Sequence, residues 1–143
     1  MKKNSTKPAK ISPELEKKIE ELIGKMTLNE KVNQMLQLSY QALPEEDFNK
    51  KVVAGLQGSY LHVLGPQTGR YNDGAAASRL GIMPMFGIDA VHGHALLHGA
   101  TVFPSQLAIA CSFDEELVEK IGLATAKEVA ADGLDWVFSP VLC

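Results

Sequence analysis

The sequence predicts an α/β fold: about four parallel strands behind N-terminal helices, forming the N-terminal half of a (β/α)8 TIM-like barrel. Three observations carry this reading. From Gln34 onward, short apolar runs alternate with capped amphipathic segments, and such alternation favours parallel βα units whose right-handed crossovers place helices outside the sheet. The strand candidates make up only half of a closed barrel. The chain has 143 residues, whereas a complete barrel takes about 250. We therefore expect a truncated barrel domain over 12–143, preceded by a flexible tail over 1–11.

The elements follow in order. Ser12 and Pro13 supply an N-cap and a first-turn proline, and Leu15, Ile19, Leu22, Ile23 and Met26 follow at helical spacing, which predicts a helix with one buried face. Thr27 and Glu30 in TLNE match a capping box, so a second short helix is expected to start there and end near Asn33. QMLQLSY, from Gln34 to Tyr40, alternates well enough for a first strand. Pro44 should open a helix through EEDFNKKVVAGL, whose acidic first turn suits the helix dipole and whose apolar face is Phe48, Val52, Val53 and Leu56. Gly58 breaks it, and GSYLHVLG is a second strand candidate.

PQTGRYNDGAAA, from Pro66 to Ala77, is rich in glycine and turn formers and predicts a loop with a short helical turn into Ser78, Arg79 and Leu80. The third strand is expected over Ile82 to Ile88, with irregularity at Pro84, which cannot donate a ladder hydrogen bond. SQLAIAC reads as a small apolar helix or turn. Asp114 is a good N-cap for EELVEKIGLATAKEVAAD, and Gly133 fits the left-handed stop. The core face of that helix should be Val118, Ile121, Thr125 and Val129, flanked by Leu117 and Ala124. A fourth strand is expected from Asp135 to about Ser139, with Trp136 packed in the core rather than serving as a sugar platform.

Composition narrows the function. With 45% hydrophobic and 22% charged residues, the chain is an ordinary globular sequence. A net charge of -3 argues against nucleic-acid binding, which needs clustered Lys and Arg against phosphate. The basic N-terminal stretch MKKNSTKPAK reads as a solvated tail. It lacks the apolar region of a secretory signal, and no window is long enough for a membrane span. Cys111 and Cys143 lie in apolar contexts and are expected as buried thiols, not as a disulfide or metal site. A cytoplasmic location follows, with a mature secreted or periplasmic form as the alternative.

The chemistry concentrates in IMPMFGIDAVHGHALLHGATVFP, Ile82 to Pro104. An apolar run ending in Asp89 looks like a buried strand that delivers one carboxylate to a loop, where it could contact a ligand or act as a loop cap or salt-bridge partner. His92 is expected to be buried and hydrogen-bonded near Asp89, with His94 and His98 at a pocket rim. Zinc held by the three histidines is the competing reading; a catalytic site wants at least three ligands and an open position, and the sequence offers no adjacent Glu or Asp besides Asp89. His62 reads as a satisfied core or strand-end histidine. Arg79 reads as a structural ion-pair or helix-terminus residue, and Glu128 as a structural hydrogen-bond acceptor.

Taken together, KMTLNEKVNQM (Lys25 to Met35), SRLGI, FGIDAVHG (Phe86 to Gly93), GATVFP and ATAKEVAADGLDWVFSPVL (Ala124 to Leu142) resemble the N-terminal part of the glycoside hydrolase family 3 barrel, the β-glucosidase and exo-β-glucanase group. The resemblance covers nearly everything after the tail, and the long HALLHGATVFP loop is most similar to exo-glucanase and cellodextrin-type members. It implies a retaining hydrolase that releases glucose from the non-reducing ends of β-glucosides or cello-oligosaccharides, with a carboxylate nucleophile and a carboxylic acid proton donor and without metal or other cofactor. In this family the nucleophile lies beyond position 143 and the acid/base commonly comes from a following domain. No catalytic residue is therefore carried over, and the chain alone is expected to be inactive. The Asp of the GIDAVHG motif falls on Asp89, implying hydrogen bonds from glucose hydroxyls. The chain departs from the family pattern at GIMP, where members usually read GIP, and at Cys143, often Asp. A non-catalytic half-barrel module that self-associates or pairs with a second half-barrel is the alternative, because unpaired strand edges invite partners.

Overall fold

A computed structural model describes residues 11–40, 44, 46–47, 50 and 57–141. Its elements run α1 (Pro13–Lys25), α2 (Leu28–Gln34), β1 (Gln37–Ser39), β2 (Ser59–Leu61), α3 (Pro66–Ala76), β3 (Met85–Ile88), α4 (Gln106–Ala110), α5 (Glu115–Ala131) and β4 (Trp136–Val137). All but Ile11 of the tail expected over 1–11, most of the helix expected over 45–56, and Cys143 lie outside the described residues.

Helix starts follow their capping chemistry. The Ser12 hydroxyl accepts from the Leu15 N–H at 3.2 Å, and the capping box of α2 is complete: Thr27 N–H donates to Glu30 at 2.7 Å and Glu30 N–H to Thr27 Oγ1 at 3.3 Å. Asp114 accepts from the Leu117 N–H at 3.0 Å to open α5. Gly133 follows the end of that helix at φ 80°, a conformation that costs glycine nothing.

The four strands are all parallel and lie in sequence order, β1-β2-β3-β4. Leu38, Tyr60 and Phe86 stand in register across the first three, so alternation sends them, with Ile88, to one face of the sheet. There Tyr60, Phe86 and Ile88 join Val63, Tyr71, Ala90, Val129 and Leu134 in the buried core. Tyr71 meets Tyr60 edge-on at 4.4 Å and Phe86 at 5.9 Å. Burial pushes the Tyr60 hydroxyl up to about 12 and that of Tyr71 up as well.

This core explains where the structure departs from the sequence expectations. Residues 66–76 form a helix rather than a loop: Pro66 sits in its first turn, and burial of Thr68, Tyr71 and Ala75 outweighs the weak propensity of Gly69 and Gly74. Ser78 to Leu80 are bends instead of a helical turn. Only the C-terminal half of α5 reaches the core, through Thr125 and Val129, while Val118 is exposed and Ile121 half-buried. The face of α1 is uncovered: Leu15, Ile19 and Ile23 are exposed, with only Leu22 and Met26 half-buried. Strand β3 starts at Met85, one residue after the buried Pro84 that cannot join the ladder. Cys111 is exposed, not buried, because α4 places no residue in the core.

The other face of the sheet is open at Met85 and Trp136, although Ser59 and Gly87 on it are buried. Met85 is 50% and Trp136 42% exposed, so Trp136 is not a core residue, although its ring meets Phe138 at 4.7 Å. Trp136 pairs with Gly87, which has the opposite facing from Phe86 and Ile88. The absence of a side chain at Gly87 is what lets Phe138 and Gln37 close over it, since a Cβ would lie 2.8 Å from the Phe138 ring and 3.0 Å from Gln37 Nε2. Among the described residues no helix is long and apolar enough to cross a membrane.

Candidate functional site

The candidate site forms where β2, β3 and β4 end. In sheets of parallel strands the carboxyl ends face the loops that hold ligands, because the following segments all leave from that edge. His62 follows β2 and Asp89 follows β3, and their side chains meet, His62 Nε2 to Asp89 Oδ2 at 3.1 Å. The Asp89 side chain is 53% exposed, so its carboxylate remains open to a ligand.

The backbone beneath this pair is tied on both sides. His62 N–H donates to Gly87 O at 2.9 Å and Phe138 N–H to Ile88 O at 3.0 Å. Ser139 Oγ donates to Ala90 O at 3.0 Å. Asp89 therefore leaves a strand whose end is hydrogen-bonded to both neighbours. A carboxylate there accepts from several donors at once, which suits vicinal hydroxyls.

The three histidines of the following loop do not act together. His92 is exposed, and its Nδ1 lies 3.1 Å from Phe103 O, while Phe103 N–H donates to His92 O at 2.9 Å. His94, expected at a pocket rim, is instead fully buried, with Nε2 2.9 Å from Asp132 Oδ2. The burial expected for His92 thus belongs to His94. The reason is the turn at Gly93, whose φ of 73° and close approach to Thr101 O leave no room for a Cβ. The left-handed residue lies between the exposed His92 and the buried His94.

His98 is exposed. It lines a cleft of about 310 Å³ with Leu97, Gly99, Ala100, Glu128, Ala131 and Asp132, between the loop and α5. Among the described residues these histidines enter no group of three or more His, Cys, Asp or Glu able to hold a metal ion.

Two further residues are structural in this geometry. Glu128 accepts from Thr101 N–H at 3.1 Å and from Thr101 Oγ1 at 2.7 Å, tying the loop to α5. Arg79 donates through Nε to Glu30 at 3.0 Å and through Nη2 to Lys25 O at 3.0 Å. The Arg79 guanidinium, with the Thr27 N–H, holds the Glu30 carboxyl down to about 2.

The partnership of His62 with Asp89 was not legible in the sequence. Their separation of 27 positions carries no motif; the available signal is that both stand at the ends of adjacent parallel strands.

Residues 27–143 match the glycosyl hydrolase family 3 N terminal domain. The chain is 32% identical over 127 residues to a periplasmic beta-glucosidase of Salmonella typhimurium, covering 87% of this chain and 16% of the relative. It is 28% identical over 150 residues to a lysosomal beta glucosidase of Dictyostelium discoideum, covering 87% and 18%. It thus spans less than a fifth of these relatives. Among solved structures, an exo-1,3/1,4-beta-glucanase from a Pseudoalteromonas species superposes with a TM-score of 0.75 at 36% identity, covering 92% of this chain and 18% of that one. A beta-glucosidase of Listeria innocua in complex with isofagomine gives a TM-score of 0.70 at 32% identity, covering 91% and 18%.

Proposed function

The chain belongs to glycosyl hydrolase family 3, within its TIM-barrel-like N-terminal domain, and from that membership we propose that it supplies one wall of the glucose pocket in a retaining β-glucosidase or exo-β-glucan hydrolase. The protein would release glucose from the non-reducing ends of β-glucosides or cello-oligosaccharides. The supporting observation is Asp89, a half-exposed carboxylate just after β3, whose last residues Gly87 and Ile88 are hydrogen-bonded to the segments on either side. Its acceptor lone pairs suit two hydroxyls of a terminal sugar. A Listeria relative studied in complex with laminaribiose is in keeping with such a ligand.

A retaining displacement needs two carboxyl groups about 5–5.5 Å apart, one attacking the anomeric carbon and one protonating the leaving oxygen. Asp89 is assigned to binding, and both reacting carboxyls are assigned to residues other than these 143. The purified chain, incubated with 4-nitrophenyl β-D-glucoside, should therefore release no nitrophenol above the uncatalysed rate. Turnover that disappears in Asp89→Ala would overturn this assignment.

A second reading has its own observation. The open sheet face, with Met85 and Trp136 half-exposed, suits a half-barrel module that covers itself with a second copy or a partner half. A monomer in sedimentation at micromolar concentration would count against it.

A further inference from the structure

We propose that His62 is the positioning residue for Asp89, fixing the orientation in which that carboxylate receives sugar hydroxyls. The inference rests on reading Asp89 as a sugar ligand and extends it to a residue that contacts no sugar itself.

The backbone aims the imidazole. Leu61 pairs with Gly87 on the open side of the sheet, so simple alternation would return side chain 62 to the face of Tyr60 and Ile88, inside the core. The chain instead turns left-handed at His62, φ 61°, a region disfavoured for any residue with a Cβ. The strained turn diverts the imidazole to Asp89. Because the His62 N–H remains bonded to Gly87 O at 2.9 Å, the ring swings from a fixed root.

Chemistry then sets the direction of the bond. An ionised carboxylate only accepts, so at 3.1 Å Nε2 carries the proton and donates to Oδ2. Among the described residues, His62 is the donor that reaches Asp89. A carboxylate 53% exposed and without this bond would sample several rotamers, and freezing it would then oppose ligand binding. With the bond, Oδ1 and the second lone pair of Oδ2 remain for hydroxyls.

The test is calorimetric titration of the full-length protein with glucose, using Asp89→Ala, His62→Gly, His62→Gln and the Asp89→Ala/His62→Gly double variant. Glycine suits the left-handed backbone, so His62→Gly should keep or raise Tm while weakening glucose binding by about two- to tenfold, the cost of freezing one side chain. A purely structural role would move Tm and affinity together. His62→Gln, whose amide donates over a similar reach, should recover most of the affinity. The double variant should bind no more weakly than Asp89→Ala, because without the carboxylate there is nothing left to position. If Asp89→Ala binds as the wild type does, the reading of Asp89 fails and the inference fails with it. If Asp89→Ala loses glucose while His62→Gly binds normally, or if the two losses add, the role of Asp89 stands and that of His62 is overturned.

Discussion

Removing the acceptor beneath His94 tests the buried side of the loop. His94 is fully buried, its Nδ1 has no partner among the described residues, and its Nε2 meets an Asp132 side chain only 6% exposed, so solvent screening offers no discount. Asp132→Ala would leave both ring nitrogens unsatisfied. That should cost about 1–3 kcal/mol if the imidazole is neutral and about 3–5 kcal/mol if the pair is ionised and a charge is stranded. Asp132→Asn separates the two cases, because its amide oxygen still accepts from a neutral ring: about 1 kcal/mol or less is expected for a neutral pair and well above that for an ionised one. The assay is urea unfolding followed by far-ultraviolet circular dichroism, with thermal melts in parallel, where 1–3 kcal/mol corresponds to a fall in Tm of roughly 4–12 °C. A change for Asp132→Ala within about 0.5 kcal/mol, the range of an ordinary surface substitution, would refute the reasoning.

Gly93→Ala should be among the more damaging single-methyl additions, because the new Cβ meets Thr101 O and lies 2.8 Å from the Phe103 ring at a left-handed φ of 73°; amide exchange should accelerate across 92–103, and unchanged protection there would refute it. Glu30 titrates at about 2 in the folded chain against 4.5 as its ordinary value. A depressed carboxyl stabilises above its unfolded pKa, so that contribution is present above pH 4.5 and drains away as pH falls toward 2. Arg79→Ala should flatten the stability profile through this window, and an unaltered profile would show that the ion pair contributes nothing. Trp136 is the single tryptophan and 42% exposed, so its fluorescence should be readily quenched by acrylamide; complete protection would mean that the open sheet face is covered in solution.

What could be read from the sequence was what neighbouring residues decide among themselves. Ser12, the Thr27–Glu30 box and Asp114 satisfy orphan N–H groups three positions away, and such chemistry is written locally. The strand-helix alternation predicted the parallel sheet for the same reason. Residues 66–76 escaped because their helix is held by Tyr71 against Tyr60 and Phe86, contacts that no local window contains. The same limit explains the histidines. HGH offers two equivalent rings, and what selects His94 for burial is Asp132, separated from it by 38 positions, together with the left-handed turn at Gly93. Cys111 shows the converse error: an apolar neighbourhood in sequence is no guarantee of burial when the short helix before it lies outside the core.

The two faces of the sheet have different tasks, and the residues divide accordingly. The helix-covered face is closed by Tyr60, Tyr71, Phe86, Ile88 and Val129, so the core of this chain does not require the other face for its packing. The open face carries Gly87 where a larger residue would collide with Phe138 and Gln37, and half-exposed Met85 and Trp136 beside it. Asp89 stands at the rim of that open face, one residue beyond the strand whose covered side is best buried. A carboxylate whose root is fixed by the core and whose head stands free is suited to meeting a ligand from outside. On the proposed reading of Asp89 as a sugar contact, such an arrangement would separate stability from recognition: Asp89→Ala should weaken glucose binding while leaving the aromatic core, and hence Tm, unchanged.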